Sequence, residues 1–598
     1  MLEVVLAAML AGMTPPGSGE DSLRLAEREA RSAARRYENA IIQTASQRFG
    51  GRLGDRCDER IGRYCFWYSR PGTPRRPIEP EPPEVAAARG SAIHAFRRWY
   101  ALAPDNERAV APLLRYLVEA ERASEAVAAA RAHVWAGGAD PESLLFLGLA
   151  LHYDRDFQAA EAAFDSARAL ATAEERRRLD DVEVLLDRSE RSHYRSLTDH
   201  EKEAYEARFW ALADAWLMDA GNERRSAHYA RHAWSRILAM APRVQGRLRW
   251  GRDDHEILIR YGLATGRQRQ IFSSASITPD MSLVEWFDPR RIALAAGDLL
   301  TEGLPHTPPP GVRPEIERDT ARSHYAPLGL RRTRGLVTAA TVFPGTGGGE
   351  IRIDALLLPD TVDPRVPVHP RGLLVILDTL GNEIGRAPVR TASAQDSLTI
   401  LTASYSAPPG TYLYRMEVRD DSTQLGGLAQ YRVDIPVANG LTVSDLLVAW
   451  PESNEVPESR YDPDIAGIPR LIFRPNDDLA VYAEVSGLAV PETGASTLDV
   501  QWWIEYADGT GLLRRAARWL GERIGLAEAR PPVRVSWREP GAEETHGLFV
   551  TLTLPDLGPG LHELGLRVRD GFTGAEATSS RLILVDPQAP PLPRPAGM

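Results

Sequence analysis

"PESLLFLGLALHYDRDFQAAEAAFDSARAL", residues Pro141–Leu170, decides the fold of the first half of this chain. Leu147, Leu151, Ala160 and Phe164 repeat, 34 residues on, the apolar positions Leu113, Leu117, Ala126 and Ala130. A helical pattern returning at that interval predicts stacked helix pairs, because one pair cannot bury its apolar face alone. Gly148, directly after Leu147, lets the two helices of its pair approach closely. The expectation for residues 85–198 is therefore a helical repeat array.

The same residues carry a resemblance. The period and the small/large alternation of Leu151, Phe157, Ala160, Phe164 and Ala167 resemble the tetratricopeptide repeat (TPR). The Pro that ends that family's repeat is replaced by Thr172. The resemblance implies a concave surface for peptides or partner proteins.

Towards the N-terminus, Val4–Gly12 is apolar and far too short to span a bilayer. It resembles the apolar core of a secretory signal, with Glu3 where a positive residue is usual, so residues 1–20 are read as a candidate signal peptide. Residues 21–84 are expected to hold a helix, the cysteine pair and a Pro-rich linker, "RPGTPRRPIEPEPPE". Cys57 and Cys65, the only cysteines, suit a disulfide in an oxidising compartment. Two thiols are too few for a structural zinc site. The expected location is exported: periplasmic, cell-envelope or extracellular.

The net charge of −11 argues against a dedicated nucleic-acid binder, which normally presents a basic face. Lys202 is the only lysine among 71 basic residues, so an arginine is the default cation here rather than a chemical choice.

Towards the C-terminus the period changes. After a Pro-rich linker at 303–325, "GLLVILD", "SLTILTASY", "TYLYRMEVRD" and "AQYRVDIPV" read as strands bounded by turn residues. "PPGTYLYRMEVRD" (Pro408–Asp420) returns as "GPGLHELGLRVRD" (Gly558–Asp570), 150 residues on. Two antiparallel β-sandwiches explain this, at 326–440 and 441–586. An amphipathic helix at 511–530 is expected to be inserted in the second, and 587–598 to form a disordered tail. The fold class is thus multidomain, α then β, with an α/β junction over 199–302.

That junction contains "RWGRDDHEILIRYG", Arg249–Gly262. Alternation from Glu256 to Tyr261 predicts a short strand, with Asp253, Asp254 and His255 in the turn before it and Trp250 as its core anchor. On a strand the neighbouring carboxylates point to opposite faces and cannot converge. The stretch resembles the bacterial GWxTD-domain proteins. Trp250 and Asp253 take the Trp and Asp positions, and Ile257, Ile259, Arg260, Tyr261 and Gly262 match the strand that follows. Arg249, Arg252 and His255 depart from the motif. Upstream, Phe209, Trp210, Asn222 and Glu223 match the family's helical pattern, and Asp477–Leu488 its C-terminal sandwich. The resemblance implies an exported protein and no particular reaction.

Catalytic signals are thin. His-Glu-x-x-His spacing is absent after Glu256, and "PGTGGGE" lacks the Gly-Lys-Ser/Thr of a phosphate loop and reads as a hairpin tip. No catalytic, cofactor-binding or metal-ligating residue is assigned, and no cofactor is expected. The reading is a non-enzymatic interaction or scaffold protein that binds protein partners through its helical repeats. Nucleic acid is not expected, and membrane association is possible but not required. The alternative is a secreted hydrolase or carbohydrate-binding protein with a site at the domain junction.

Overall fold

The computed structural model describes residues 19–49, 57–68, 78–241, 250–271, 281–287, 306–312, 323, 325–357, 369–395, 398–450, 457, 459–461, 465–489, 496–507, 533–541, 545–554 and 557–589. The expected helical insertion at 511–530 and residues 1–18 of the expected signal peptide lie outside them. Two compact units form, one of residues 1–297 with 317–328 and one of residues 298–316 with 329–598. The first is helical with a small sheet; the second is built of β-sheets.

The helical unit opens with α1 (Gly19–Thr44) packed on α2 (Pro83–Leu102). Two hairpins follow, α3 (Glu107–Glu119) with α4 (Ala123–Gly137), then α5 (Pro141–Tyr153) with α6 (Phe157–Leu170). The 34-residue offset recurs in the backbone. Asn106 and Asp140 cap α3 and α5 with side-chain oxygens. Glu121 and Arg155, in the two tight connections, both take positive φ, +57° and +67°. A Cβ at Gly148 would lie 2.4 Å from the Phe164 ring, so the close approach expected there is real. The earlier hairpin solves the same problem in reverse, with Leu114 and Ala130 buried at the equivalent places.

Four shorter or later helices complete the unit: α7 (Ala173–Asp180), α8 (Arg188–Ser196), α9 (Asp199–Ala213) and α10 (Glu223–Met240). The last helix is α11 (Arg252–Tyr261), which corrects the expected strand at 256–261. β1 (Ser46–Phe49) pairs in parallel with β4 (Gly266–Ile271), which pairs with β5 (Met281–Trp286). The residues read as an N-terminal segment and those read as the junction therefore share one sheet. Between β1 and α2 stands a hairpin of β2 (Glu59–Ile61) and β3 (Tyr64–Phe66), closed by Cys57–Cys65 with a Cα separation of 5.3 Å.

The expected linker at 303–325 is also corrected. Its end, with the first residues assigned to the sandwich, belongs to the helical unit. Tyr325 is buried there, and its hydroxyl donates to Glu223. A buried phenol needs such a partner, which holds this stretch on α10.

In the β unit, each sandwich has a five-stranded sheet of one design. The first runs β10 (Glu383–Pro388), β9 (Arg371–Leu377), β13 (Gly410–Asp420), β14 (Leu425–Ile435), β6 (Arg332–Gly335). The second runs β20 (Val533–Gly541), β19 (Ser496–Tyr506), β22 (Gly560–Asp570), β23 (Glu576–Val585), β17 (Ile472–Phe473). The last pairing is parallel in both. Facing them are β11 (Arg390–Gln395), β12 (Leu398–Ala407), β8 (Gly348–Leu356) and β7 (Val337–Gly345) in the first sandwich. In the second, β18 (Asp478–Ser486) lies between β21 (Thr545–Thr553) and the short β15 (Thr442–Val443) and β16 (Leu447–Ala449).

The 150-residue repeat extends to single hydrogen bonds. Tyr412 Oη donates to Pro408 O at 2.9 Å, and His562 Nε2 lies 2.8 Å from Gly558 O. Asp420 and Asp570 each accept the amide two residues on, from Ser422 and Phe572. The Val-Arg-Asp repeat thus ends a strand and closes a turn. The second core takes in Ala339, Leu356 and Ile400 of the first sandwich. The expected disordered tail is shortened: Ala589 is buried and its carbonyl accepts from Arg474 Nε at 2.5 Å.

Candidate functional site

The residues singled out in the sequence gather around α10. At its N-terminus, Asn222 accepts the Arg225 amide at 2.7 Å and donates from Nδ2 to Trp210 O at 2.7 Å. Glu223 accepts from the Tyr325 hydroxyl and the Leu328 amide. Burial pushes its carboxyl up to about 8. Phe209 and Trp210 on α9 are buried, and Trp210 lies against the His228 ring at 5.0 Å.

Farther along α10, Ser235 collects the second group. Trp250 Nε1 donates to its hydroxyl at 3.1 Å, and His255 Nδ1 lies 2.8 Å away. His255 sits in the first part of α11, where the sequence reading placed a turn. The Gly251 amide is held by the Asp254 carboxylate at 2.7 Å, and Asp253 and Asp254 complement the helix dipole. Gly262 ends the helix at φ +79°, and its amide donates to Leu258 O. Leu258, Ile259 and Tyr261 are buried while Ile257 is half-buried. The spacing of His255, Leu258, Ile259 and Gly262 is that of a helical face. Six alternating residues fit a strand as well as one helical turn and a half; the capping carboxylates decide for the helix.

The change of element overturns the argument that Asp253 and Asp254 diverge. Both reach Arg63 on the hairpin: Nε meets Asp253 Oδ2 at 2.5 Å, and Nη2 meets Asp254 Oδ2 at 2.5 Å. The Arg63 guanidinium holds the Asp253 carboxyl well below the usual carboxylate range. Tyr64 Oη donates to Asp254 at 2.6 Å. Gly62, at φ +54°, leaves no room for a side chain, since a Cβ would lie 2.5 Å from that of Asp253. Arg260 is fully buried and grips Glu59 through Nη1 and Nη2 at 3.0 and 2.6 Å. Phe66 stacks on Tyr261 at 4.2 Å. The disulfide-closed hairpin is therefore clamped to α11 by two arginines and one ring stack.

Sequence reading missed what joins the two groups, a buried polar row on α10. Arg224, His228, Arg231 and His232 are all buried. His228 lies 4.7 Å from His232, and His232 lies 5.2 Å from His255, ring to ring. Arg231 Nη1 donates to Ile259 O at 2.8 Å, tying α10 to α11. Burial lowers His228 to about 3, Arg224 to about 9 and Arg231 to about 10, and lowers His232 strongly. The signal lay in "RRSAHYARH", whose spacing of four and seven marks one face. No comparable signal pointed to Arg63, 190 residues from Asp253. Such imidazoles stay neutral near pH 7 and serve as packing and hydrogen-bonding groups. Among the described residues no group of three or more His, Cys, Asp or Glu is placed to hold a metal ion, and no helix is long and apolar enough to cross a membrane.

No family model matches the chain, and no curated protein matches it. Among solved structures it is similar to the fibronectin(III)-like modules of Clostridium thermocellum CbhA, with 16% identity over 42% of this chain and 94% of that one, at a TM-score of 0.13. It is also similar to Salmonella alpha-2-macroglobulin, with 12% identity over 43% of this chain and 16% of that one, at a TM-score of 0.14. The E. coli alpha-2-macroglobulin matches with 14% identity over 47% and 19%, also at 0.14. The chain thus spans less than a fifth of either macroglobulin. At such scores the fold description rests on the strand pairing and cores alone.

Proposed function

We propose that this chain is a non-enzymatic interaction or scaffold protein, exported from the cytoplasm, that binds protein partners through a TPR-like repeat array. In this reading residues 199–302 form a GWxTD-like joint, and the two sandwiches act as spacer and display domains. The observation that carries the reading is Trp135, 90% exposed in the last turn of α4. Leu102 and Leu170, exposed at the ends of α2 and α6, occupy nearly the same place in the neighbouring pairs. The three lie 33 and 35 residues apart, close to the 34-residue repeat, and an exposed tryptophan is the kind of side chain on which binding energy concentrates.

Two further observations support it. The carboxylates and arginines of the joint are engaged with one another, as a clamp requires and a reaction centre does not. The Cys57–Cys65 bridge fits an oxidising compartment. The test is a photo-crosslinking side chain at position 135, with the crosslinked species identified by mass spectrometry from native envelope extract. One or a few partners, lost when Trp135→Ala is tested by pull-down, are expected. Crosslinks with no recurring partner, or partners unaffected by Trp135→Ala, would refute binding at this face.

A further inference from the structure

One side of α8 lines a cavity of about 530 Å³. Arg188, Arg191, Ser192 and Arg195 line it. The volume is in the range of small-molecule sites. In a chain of net charge −11, three guanidinium groups and a hydroxyl around one cavity select for an anion.

The surrounding carboxylates compensate these arginines only in part: Asp181 acts electrostatically on Arg191 and Arg195, and none among the described residues is bonded to Arg188. The nearest carboxylates on the helix are turned to its start: Asp187 accepts the Glu190 amide at 3.0 Å, and Glu190 accepts the Asp187 amide at 2.7 Å. They form a capping box and are occupied by backbone. Arg188 has no hydrogen bond or ion pair among the described residues. Arg191 is fixed by one bond from Nη2 to Leu186 O at 3.1 Å, while its Nε is buried with no partner. A buried guanidinium N–H left unmet is costly unless something accepts from it. Arg195 is hydrogen-bonded to a carboxylate, and both its bonds go to one oxygen, Glu183 Oε1.

Spacing defines the ligand. Positions 188, 191 and 192 are neighbours on a helix surface, and so are 191 and 195. They make two adjoining anion seats, about one helical turn of roughly 5 Å apart. The first has two guanidiniums and a hydroxyl; the second has two guanidiniums. Guanidinium forks match tetrahedral phosphate oxygens in pairs. We infer that this cavity binds a ligand carrying two linked phosphates, one at Arg188, Arg191 and Ser192, the other at Arg191 and Arg195.

The full-length protein is titrated calorimetrically with inorganic diphosphate, with inorganic phosphate and with a nucleoside diphosphate, at physiological salt. Saturable binding of one diphosphate per chain is expected, at least tenfold tighter than phosphate. Arg188→Gln and Arg195→Gln, both on exposed side chains, should each weaken it about tenfold with an unchanged circular dichroism spectrum. Arg178→Gln, on α7, should leave it unchanged. Tighter binding of the nucleotide would assign the natural source to nucleotides, and equal binding to the free diphosphate group. Non-saturable heats, equal affinity for phosphate, or affinity unchanged in both α8 variants would overturn the inference.

Discussion

Exchanging large and small side chains between the two repeat positions tests the packing logic of the helical unit. Phe164 is fully buried against Gly148, and the preceding hairpin buries Ala130 and Leu114 at the equivalent places. Phe164→Ala alone opens a cavity and loses the ring contact with Tyr229, at a cost of about 3 kcal/mol. Gly148→Leu alone drives a branched side chain into the ring, at a cost of about 2 kcal/mol. Independent effects would add to about 5 kcal/mol. The double variant instead recreates the Leu/Ala solution of the earlier hairpin. It is short of the native filling by about two methylene groups, worth about 1.6 kcal/mol. A coupling of about 3 kcal/mol is therefore expected. Hydrogen exchange of peptides from α5 and α6, read as opening free energies, measures it. Additivity within about 0.5 kcal/mol would show that the two positions do not share one space, and would refute the equivalence of the two hairpins.

Removing the disulfide by Cys57→Ser with Cys65→Ser should cost about 2.5 kcal/mol of hairpin stability, from the eight-residue separation. Faster exchange confined to the hairpin and the start of α11 is expected; unfolding of the whole helical unit would contradict the clamp. The buried histidines set an acid limit. His152 and His228, both held near 3, and His232, held well below its usual value, stay neutral in the fold, whereas the unfolded chain protonates them below about 6.5. Glu223, raised to about 8, acts oppositely by keeping a proton that the unfolded chain has released. Between pH 4.5 and 6 these four groups together bind about two more protons in the unfolded state, a contribution that lowers stability by roughly 2.7 kcal/mol per unit of acidification. From pH 7 to 8 the sign reverses, because Glu223 still holds part of a proton while the histidines are nearly neutral in both states, and stability should fall by roughly 0.5 kcal/mol per unit as pH rises. Glu223→Gln should flatten that alkaline arm in urea titrations; an unchanged slope would reject the assignment. Arg581 on β23 donates to Ala340 O at 2.7 Å and to Leu446 O at 3.1 Å, binding the two sandwiches together. Arg581→Met strands those carbonyls and the charge of neighbouring Asp445, a loss of about 3 kcal/mol. Separate calorimetric transitions for the two sandwiches are expected, and a single unshifted transition would refute the joint.

The sequence by itself determined what is periodic or local. Period 34 predicted the hairpins of α3 to α6, since each must bury a face against the next. The 150-residue repeat predicted paired sandwiches, and in both copies it even carried the corner bond of Tyr412 and His562. Tertiary structure decided the rest. Whether Glu256–Tyr261 is strand or helix is too short a question for periodicity, and the Asp254 cap with burial against α10 settled it. The meeting of Arg63 with Asp253 and Asp254, and of Arg260 with Glu59, joins residues about 190 to 200 positions apart. The buried row of Arg224, His228, Arg231 and His232 likewise reads as an ordinary polar helix face until neighbouring helices remove its water. Such contacts leave no local pattern, because chain separation sets the entropy of bringing the ends together and not the chemistry of their meeting. What a residue type can do is written in its position; whether it is clamped, buried or open to a ligand depends on what the fold sets against it.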